Sequence, residues 1–260
     1  MIKCGITGHT GNLGSTLIKA NKNIKFFKFS GDITNKNLVR KWITSNDFEY
    51  IIHLAAIVPT KKVLKKYKLA KKVNFNGTKN IIDILIQSKK RISWFFFAST
   101  SHVYAFSKSK IKETNKIKPI SKYGKTKLFA ENYIINKLTK NNIKFCIGRI
   151  FSIYDNKNND FFVSNLKKKM SYKKDKIILS NLNHFRDFVT TKDIAKVIVF
   201  LMKKKISGLI NIGSGKKTHL KNIAIKMANK YKKKIEITDN INPTTMVSDI
   251  SKLKRIGFKK

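Results

Sequence analysis

Acidic side chains are scarce in this chain. Asp and Glu number 14 against 57 Lys and Arg, a formal charge of +43 over 260 residues. That imbalance first suggests nucleic-acid binding. The lysines, however, are spread along the whole chain, and Asn and Ile are abundant with them, as drift toward AT-rich codons would produce. No zinc, RNP or KH pattern is present, so no specific nucleic-acid partner is expected. Proline is also rare, at three residues, and no long polar tract occurs, which argues against a disordered chain. The two cysteines, Cys4 and Cys146, lie in apolar strand-like runs and read as buried free thiols rather than a disulfide. The five histidines show no ligand spacing, so no metal is expected. No apolar run approaches the roughly 18 residues of a membrane span. Met1-Ile2-Lys3-Cys4-Gly5 runs almost directly into a glycine turn and is no signal peptide. A soluble cytoplasmic protein is the expectation.

What the chain does have is rhythm. Short apolar runs at 3–7, 24–29, 50–54, 94–98 and 144–150 alternate with amphipathic stretches at 36–44, 62–88 and 121–138. Strand–helix alternation predicts an α/β fold built on a doubly wound parallel sheet. Residues 1–150 read as a dinucleotide-binding unit. Residues 151–185 and 216–260 read as a small substrate lobe, and 186–215 return to the larger unit.

The first turn is rich in glycine: Thr7-Gly8-His9-Thr10-Gly11-Asn12-Leu13-Gly14. Between a strand and a helix, glycines let backbone approach a pyrophosphate, and the helix N-terminus offers N–H groups. The turn predicts a dinucleotide, NAD or NADP. The second strand ends in Lys28-Phe29-Ser30 without an acid. Asp32 follows Gly31 and could hold the ribose or sit near adenine.

Tyr123 and Lys127 are four apart, so on a helix they share a face. An ammonium beside a phenol favours the phenolate, and a phenol so tuned can move protons. The spacing alone decides little. Tyr67/Lys71, Tyr104/Lys108, Tyr133/Lys137 and Tyr172/Lys176 repeat it.

Order along the chain singles out one pair. Thr7-Gly8-x-x-Gly11-x-x-Gly14 is followed by Gly31-Asp32-Ile33-Thr34 and Ile52-His53-Leu54-Ala55-Ala56. Val73-Asn74-Phe75-Asn76-Gly77-Thr78 and Ser99-Thr100-Ser101-His102-Val103-Tyr104 come next. Tyr123-x-x-x-Lys127, Arg186-Asp187-Phe188-Val189 and Asn211-Ile212-Gly213-Ser214-Gly215 complete the series. In this order the chain resembles the extended short-chain dehydrogenase/reductases, the NAD-dependent epimerase/dehydratase group acting on sugar nucleotides. The resemblance implies a Rossmann-like fold and a cofactor site. That site would use Gly8, Thr10, Gly11, Asn12, Leu13, Gly14, Asp32, Ile33, Leu54, Ala55, Ala56, Asn74 and Lys127, with Asn74 helping to position either the cofactor or the active-site helix. Tyr123 would be the acid/base. Lys127 would hold the nicotinamide ribose and lower the Tyr123 pKa. Thr100, with Ser99 and Ser101 as rivals, would bond the reacting oxygen. Ser101, His102 and Arg186 would meet the substrate, Arg186 as a phosphate fork or, alternatively, as a surface partner of Asp187. The family also implies a homodimer.

Departures narrow the chemistry. Family dehydratases carry acids directly after the catalytic Ser/Thr, where this chain has Ser101 and His102. Epimerases of the family often carry an arginine near the C-terminus to bind the second phosphate; here that region reads Asn242-Pro243-Thr244-Thr245-Met246, with no arginine. With the acids of the dehydratases absent after Thr100, the expectation is a nucleotide-sugar epimerase. A keto-sugar-nucleotide reductase is the alternative, and a non-catalytic dinucleotide-binding relative comes third.

Overall fold

The computed structural model describes residues 1–58, 60–154, 161–172, 176–239 and 242–259. Strand β1 (Ile2–Thr7) leads through the glycine turn into α1 (Asn12–Ala20), then β2 (Ile24–Lys28), α2 (Lys36–Thr44) and β3 (Tyr50–His53). Helices α3 (Thr60–Lys65) and α4 (Tyr67–Lys71) pass through a π-turn, Lys72–Gly77, into α5 (Thr78–Gln87). The sequence predicts one unbroken helical region there; the wider turn interrupts it and carries Asn74, as such turns often do at functional sites. Strand β4 (Trp94–Thr100) ends in a tight 3₁₀ turn, Ser101–Val103, and α6 (Lys122–Lys140) leads to β5 (Phe145–Ile150).

Six parallel strands form the main sheet in the order β10-β5-β4-β3-β1-β2, where β10 is Gly208–Ile212. A sheet covered on both faces needs apolar residues at every position. Trp94, Phe95, Phe96 and Phe97 of β4 show this, all fully buried. Leu17 of α1 and Ile198 pack with Phe96 on one face; Ile43, Ile82 and Ile134 pack with Phe97 on the other. Cys4 and Cys146 are buried free thiols. The chain leaves β1 toward β2 and β3 toward β4, in opposite directions. A crevice opens above these two carboxyl ends, where such sheets bind ligands.

The later chain builds β6 (Ser152–Tyr154), α7 (Phe162–Met170), β7 (Lys176–Leu179), β8 (His184–Arg186), β9 (Phe188–Thr190) and α8 (Thr191–Lys203). After β10 come β11 (Thr218–His219), α9 (Leu220–Lys230), β12 (Lys234–Ile237), β13 (Thr244–Met246) and α10 (Ser251–Arg255). Leu166, Met170, Ile177, Leu179, Leu220 and Ala224 make a separate small core between α7, β7 and α9. Strands β8 and β9 are separated by the single residue Asp187. Its buried carboxylate accepts from the amides of Ser214 (2.7 Å), Gly215 (3.0 Å) and Ser248 (3.1 Å), turning the chain inward. Helix α10 differs from the expected lobe boundary at 216–260. Its Leu253 joins the core of the main sheet, so the end of the chain returns there. Among the described residues no helix is long and apolar enough to cross a membrane.

Candidate active site

A cleft of about 960 Å³ runs above the crevice. Gly8, Thr10, Gly11, Asn12, Leu13, Gly14, Asp32, Ile33, Leu54, Ala55 and Ala56 line one end. Thr100, Ser101, His102, Tyr123 and Arg186 line the other. Two predicted cofactor residues, Asn74 and Lys127, are absent from its walls and lie buried beneath them.

The dinucleotide end is open to an anion. Gly8 has φ +70°, and a Cβ there would sit 2.6 Å from the Ala55 amide nitrogen, so only glycine lets the two loops meet. Helix α1 has no side-chain cap and no acid in its first turn. Its leading N–H groups remain available to a phosphate. Asn12 Nδ2 and His9 Nδ1 are buried without a partner among the described residues, an arrangement that is costly unless a ligand meets them. These residues fit a dinucleotide pyrophosphate. Asp32 turns its carboxylate onto the Thr34 amide (2.8 Å) and hydroxyl (2.9 Å), which hold it below the usual carboxylate range.

The far end is built on α6. Ser121 caps this helix, its Oγ accepting from Gly124 N at 3.0 Å. Gly124 is pressed against the 3₁₀ turn; a Cβ there would lie 2.2 Å from the His102 carbonyl oxygen. The close approach sets Tyr123 beside His102, with ring centroids 6.0 Å apart at 72°. Thr100 closes β4, its Oγ1 accepting from His102 N at 3.2 Å, which leaves its proton free. Ser99 is removed as a rival because its hydroxyl donates to Glu131. Ser101 is buried at the cleft wall.

Lys127 does not do what the spacing implied. Its Nζ stands 3.9 Å above the Phe97 ring, in the layer below Tyr123. Burial lowers the ammonium to about 7, against the opposing pull of Glu131. Burial also pushes the Tyr123 phenol up, with no offsetting contribution from Lys127. The shared face is real, but the ammonium lies over the Phe97 ring rather than at the phenol.

Two buried networks hold these groups, and their long-range partners are set by the fold. Asn74 accepts from Ile57 N (2.7 Å) and donates to Ile57 O (3.1 Å) and Thr126 Oγ1 (3.0 Å). Thr126 donates to Tyr123 O at 2.8 Å. Both amide protons of Asn74 are spent on protein, so it ties the cleft wall to the Tyr123 helix rather than touching a cofactor. His53 lies 2.6 Å from Thr7 Oγ1 and 2.8 Å from Thr78 Oγ1, and burial, with Lys127 nearby, holds its pKa well below normal. The second network centres on a buried ion pair, Arg149 Nη2 to Glu131 Oε2 at 2.7 Å. Glu131 sits one turn beyond Lys127. Periodicity could have flagged it as an acid on the buried face of α6.

Arg186 donates to Phe185 O (2.8 Å), Thr244 O (3.0 Å) and Thr244 Oγ1 (3.1 Å). Burial lowers its pKa to about 10, and among the described residues no carboxylate pairs with it. The alternative pairing with Asp187 is wrong, since Asp187 spends its oxygens on Ser214, Gly215 and Ser248.

A parallel sheet with a glycine turn at one end of its cleft and Thr100, Tyr123 and the helix of Lys127 at the other defines an extended short-chain dehydrogenase/reductase. The match to a family model confirms it: the chain belongs to the GDP-mannose 4,6 dehydratase family, whose model aligns with residues 6–256. A protein of Methanocaldococcus jannaschii assigned as a UDP-glucose 4-epimerase is 32% identical over 208 residues, 77% of this chain and 66% of its own length. The chain thus spans about two thirds of that relative. The UDP-glucose 4-epimerase of Thermus thermophilus, solved with NAD, superposes with a TM-score of 0.85 at 18% identity, covering 99% of this chain and 94% of that one. RMD of Pseudomonas aeruginosa, solved with NADPH, gives 0.87 at 16% identity, covering 98% and 92%. At these identities the two structures establish the shared fold.

Proposed function

We propose that this protein is an NAD(P)-dependent nucleotide-sugar oxidoreductase that works as an epimerase. One observation carries the reading: Thr100 and Tyr123 face the same cleft whose opposite end is an anion-ready glycine turn. The turn at Gly8–Gly14 and the wall at Leu54–Ala56 would hold the dinucleotide, which when bound supplies reversible hydride chemistry. Thr100 donates its free proton to the reacting sugar oxygen. Tyr123 takes the hydroxyl proton from that oxygen and later returns it. Lys127 lies under Tyr123, and a dinucleotide ribose reaching it would draw its charge toward the phenol. Arg186, a cation without an acid partner among the described residues, would hold a substrate phosphate through its remaining N–H groups. The family model's dehydration is disfavoured, because Ser101 and His102 stand where elimination needs acids.

A keto-sugar-nucleotide reductase is the second reading. Its support is the short second-strand region and the helix pattern Tyr123-Gly124-x-x-Lys127-Leu128-x-x-Glu131, which deoxysugar reductases of the family share. Exposed Leu69 and Phe129 on the outer faces of α4 and α6 support a homodimer through those helices. Two buried reduced thiols suit the cytoplasm. The test is to extract the dinucleotide from purified protein and then offer UDP-glucose, GDP-mannose and keto-sugar nucleotides. Retained NAD+ with interconversion of two sugar epimers supports the epimerase. Net consumption of NADPH supports the reductase. Failure to bind any dinucleotide would refute both.

A further inference from the structure

His102 occupies the position after Ser101 on the substrate side of the cleft, and the protein fixes it on every side but one. Its amide donates to Thr100 Oγ1 at 3.2 Å. Its carbonyl accepts from Ile120 N at 3.1 Å. The Tyr123 ring meets the imidazole edge to face. Its Nδ1 lies 3.0 Å from Ser121 Oγ. Its Nε2 makes no hydrogen bond among the described residues, and His102 lines the cleft.

The Ser121 contact decides which ring nitrogen carries the proton. Ser121 Oγ already accepts from Gly124 N as the cap of α6. A hydroxyl has one proton to give. If His102 also donated to Ser121, that proton would have no acceptor among the described residues. Ser121 therefore donates to Nδ1, and Nε2 carries the imidazole proton. The two pairings of α6 with the 3₁₀ turn, the Ser121–His102 contact and the Gly124–His102 approach, hold this orientation.

We propose that His102 is a catalytic residue: a neutral imidazole whose Nε2–H donates to an acceptor oxygen on the sugar ring, next to the oxygen handled by Thr100 and Tyr123. The proposal rests on the nucleotide-sugar reading above. It gives His102 a role opposite to that of an acid or base. Burial, and then the Arg186 guanidinium, bring its pKa down to about 4, so the ring stays neutral. The charged and titratable groups facing it are Arg186 from β8 and Tyr123 from α6; neither is a carboxylate that would raise its pKa again. A neutral imidazole held this way polarises an oxygen without delivering a proton. It also cannot remove a carbon-bound proton, since its basic nitrogen is occupied by Ser121. This accounts for the loss of elimination chemistry at the position where dehydratases place an acid.

The test uses the full chain labelled with nitrogen-15 histidine, His102 being assigned through His102→Gln. At neutral pH its long-range proton–nitrogen correlations are expected to show the Nε2–H tautomer. With NAD+ present, adding UDP-glucose, GDP-mannose or dTDP-glucose should move the Nε2 resonance for the sugar that turns over, while UDP alone leaves it in place. His102→Phe should lower turnover at least about tenfold, the loss of one good hydrogen bond, with dinucleotide affinity unchanged. His102→Gln, which keeps an N–H near the same place, should recover part of it. An Nδ1–H tautomer, a charged ring, or His102→Phe turning over like the parent would overturn the proposal. If none of the three sugars binds, the nucleotide-sugar reading falls and the contact with it. If one turns over without moving the resonance, only the role of His102 falls.

Discussion

The two ends of the cleft are made differently. The dinucleotide end comes mainly from short contiguous pieces, the turn Gly8–Gly14, the step Gly31–Ile33 and the wall Leu54–Ala56. The substrate end is assembled from β4, α6 and β8, with Thr100, Tyr123 and Arg186 far apart in the chain. Backbone geometry does the work at the first end and side chains at the second. The first end should therefore tolerate changes at the second, and the two functions should separate by mutation.

The largest separation is expected for Tyr123→Phe. It removes the proton-handling hydroxyl and should lower turnover by about 10²–10⁴-fold, the usual range for a general acid/base. Dinucleotide affinity, measured by fluorescence titration with NADH or NADPH, should stay unchanged. Gly124→Ala is the next test. The added Cβ must displace the His102 carbonyl, which lies 2.2 Å from where it would sit. A shift of α6 by a fraction of that length should cost roughly 10²-fold in turnover, again with the dinucleotide retained. Arg186→Ala should act on substrate binding. Losing a charged hydrogen bond costs about 1.5–3 kcal/mol, so KM should rise roughly 10–100-fold while kcat changes less.

The last test leaves turnover and concerns Lys127 and stability. Its folded pKa of about 7 lies below the ordinary 10.5. Between these values the unfolded chain holds a proton that the folded chain has released. Stability of the dinucleotide-free protein should therefore rise with pH from 7 toward 10, by at most about 1.4 kcal/mol per unit. Denaturant titrations at successive pH values would show the slope, and Lys127→Met should flatten it.

The same contrast explains what could be read in advance. The glycine turn and the strand rhythm are local, and the structure places them at the carboxyl end of a parallel sheet as expected. The pairing of Tyr123 with Lys127 was legible only through its order after Thr100. Spacing put both on one face of a helix; it could not show the ammonium settling over Phe97, since that depends on packing against β4. The sequence leaves Asn74 between two roles, positioning the cofactor or the active-site helix, and its hydrogen bonds decide for the helix. Its bonds to Ile57 and Thr126 span 17 and 52 residues and appear only once β3, the π-turn and α6 meet. The Glu131–Arg149 pair and the caging of Asp187 are hidden for the same reason. The break between β8 and β9 likewise depends on amides 27 and 61 residues away.

The account's central claim is that one cleft joins a dinucleotide at the glycine turn to proton transfer at Tyr123. Its most direct test is to load the protein with NAD+ or NADP+, add a panel of UDP-, GDP- and dTDP-sugars, and follow the absorbance of reduced nicotinamide in a single turnover. The prediction is that reduced dinucleotide forms with at least one sugar in the native chain and fails to form in Tyr123→Phe at equal dinucleotide occupancy. Formation at the same rate in Tyr123→Phe would contradict it.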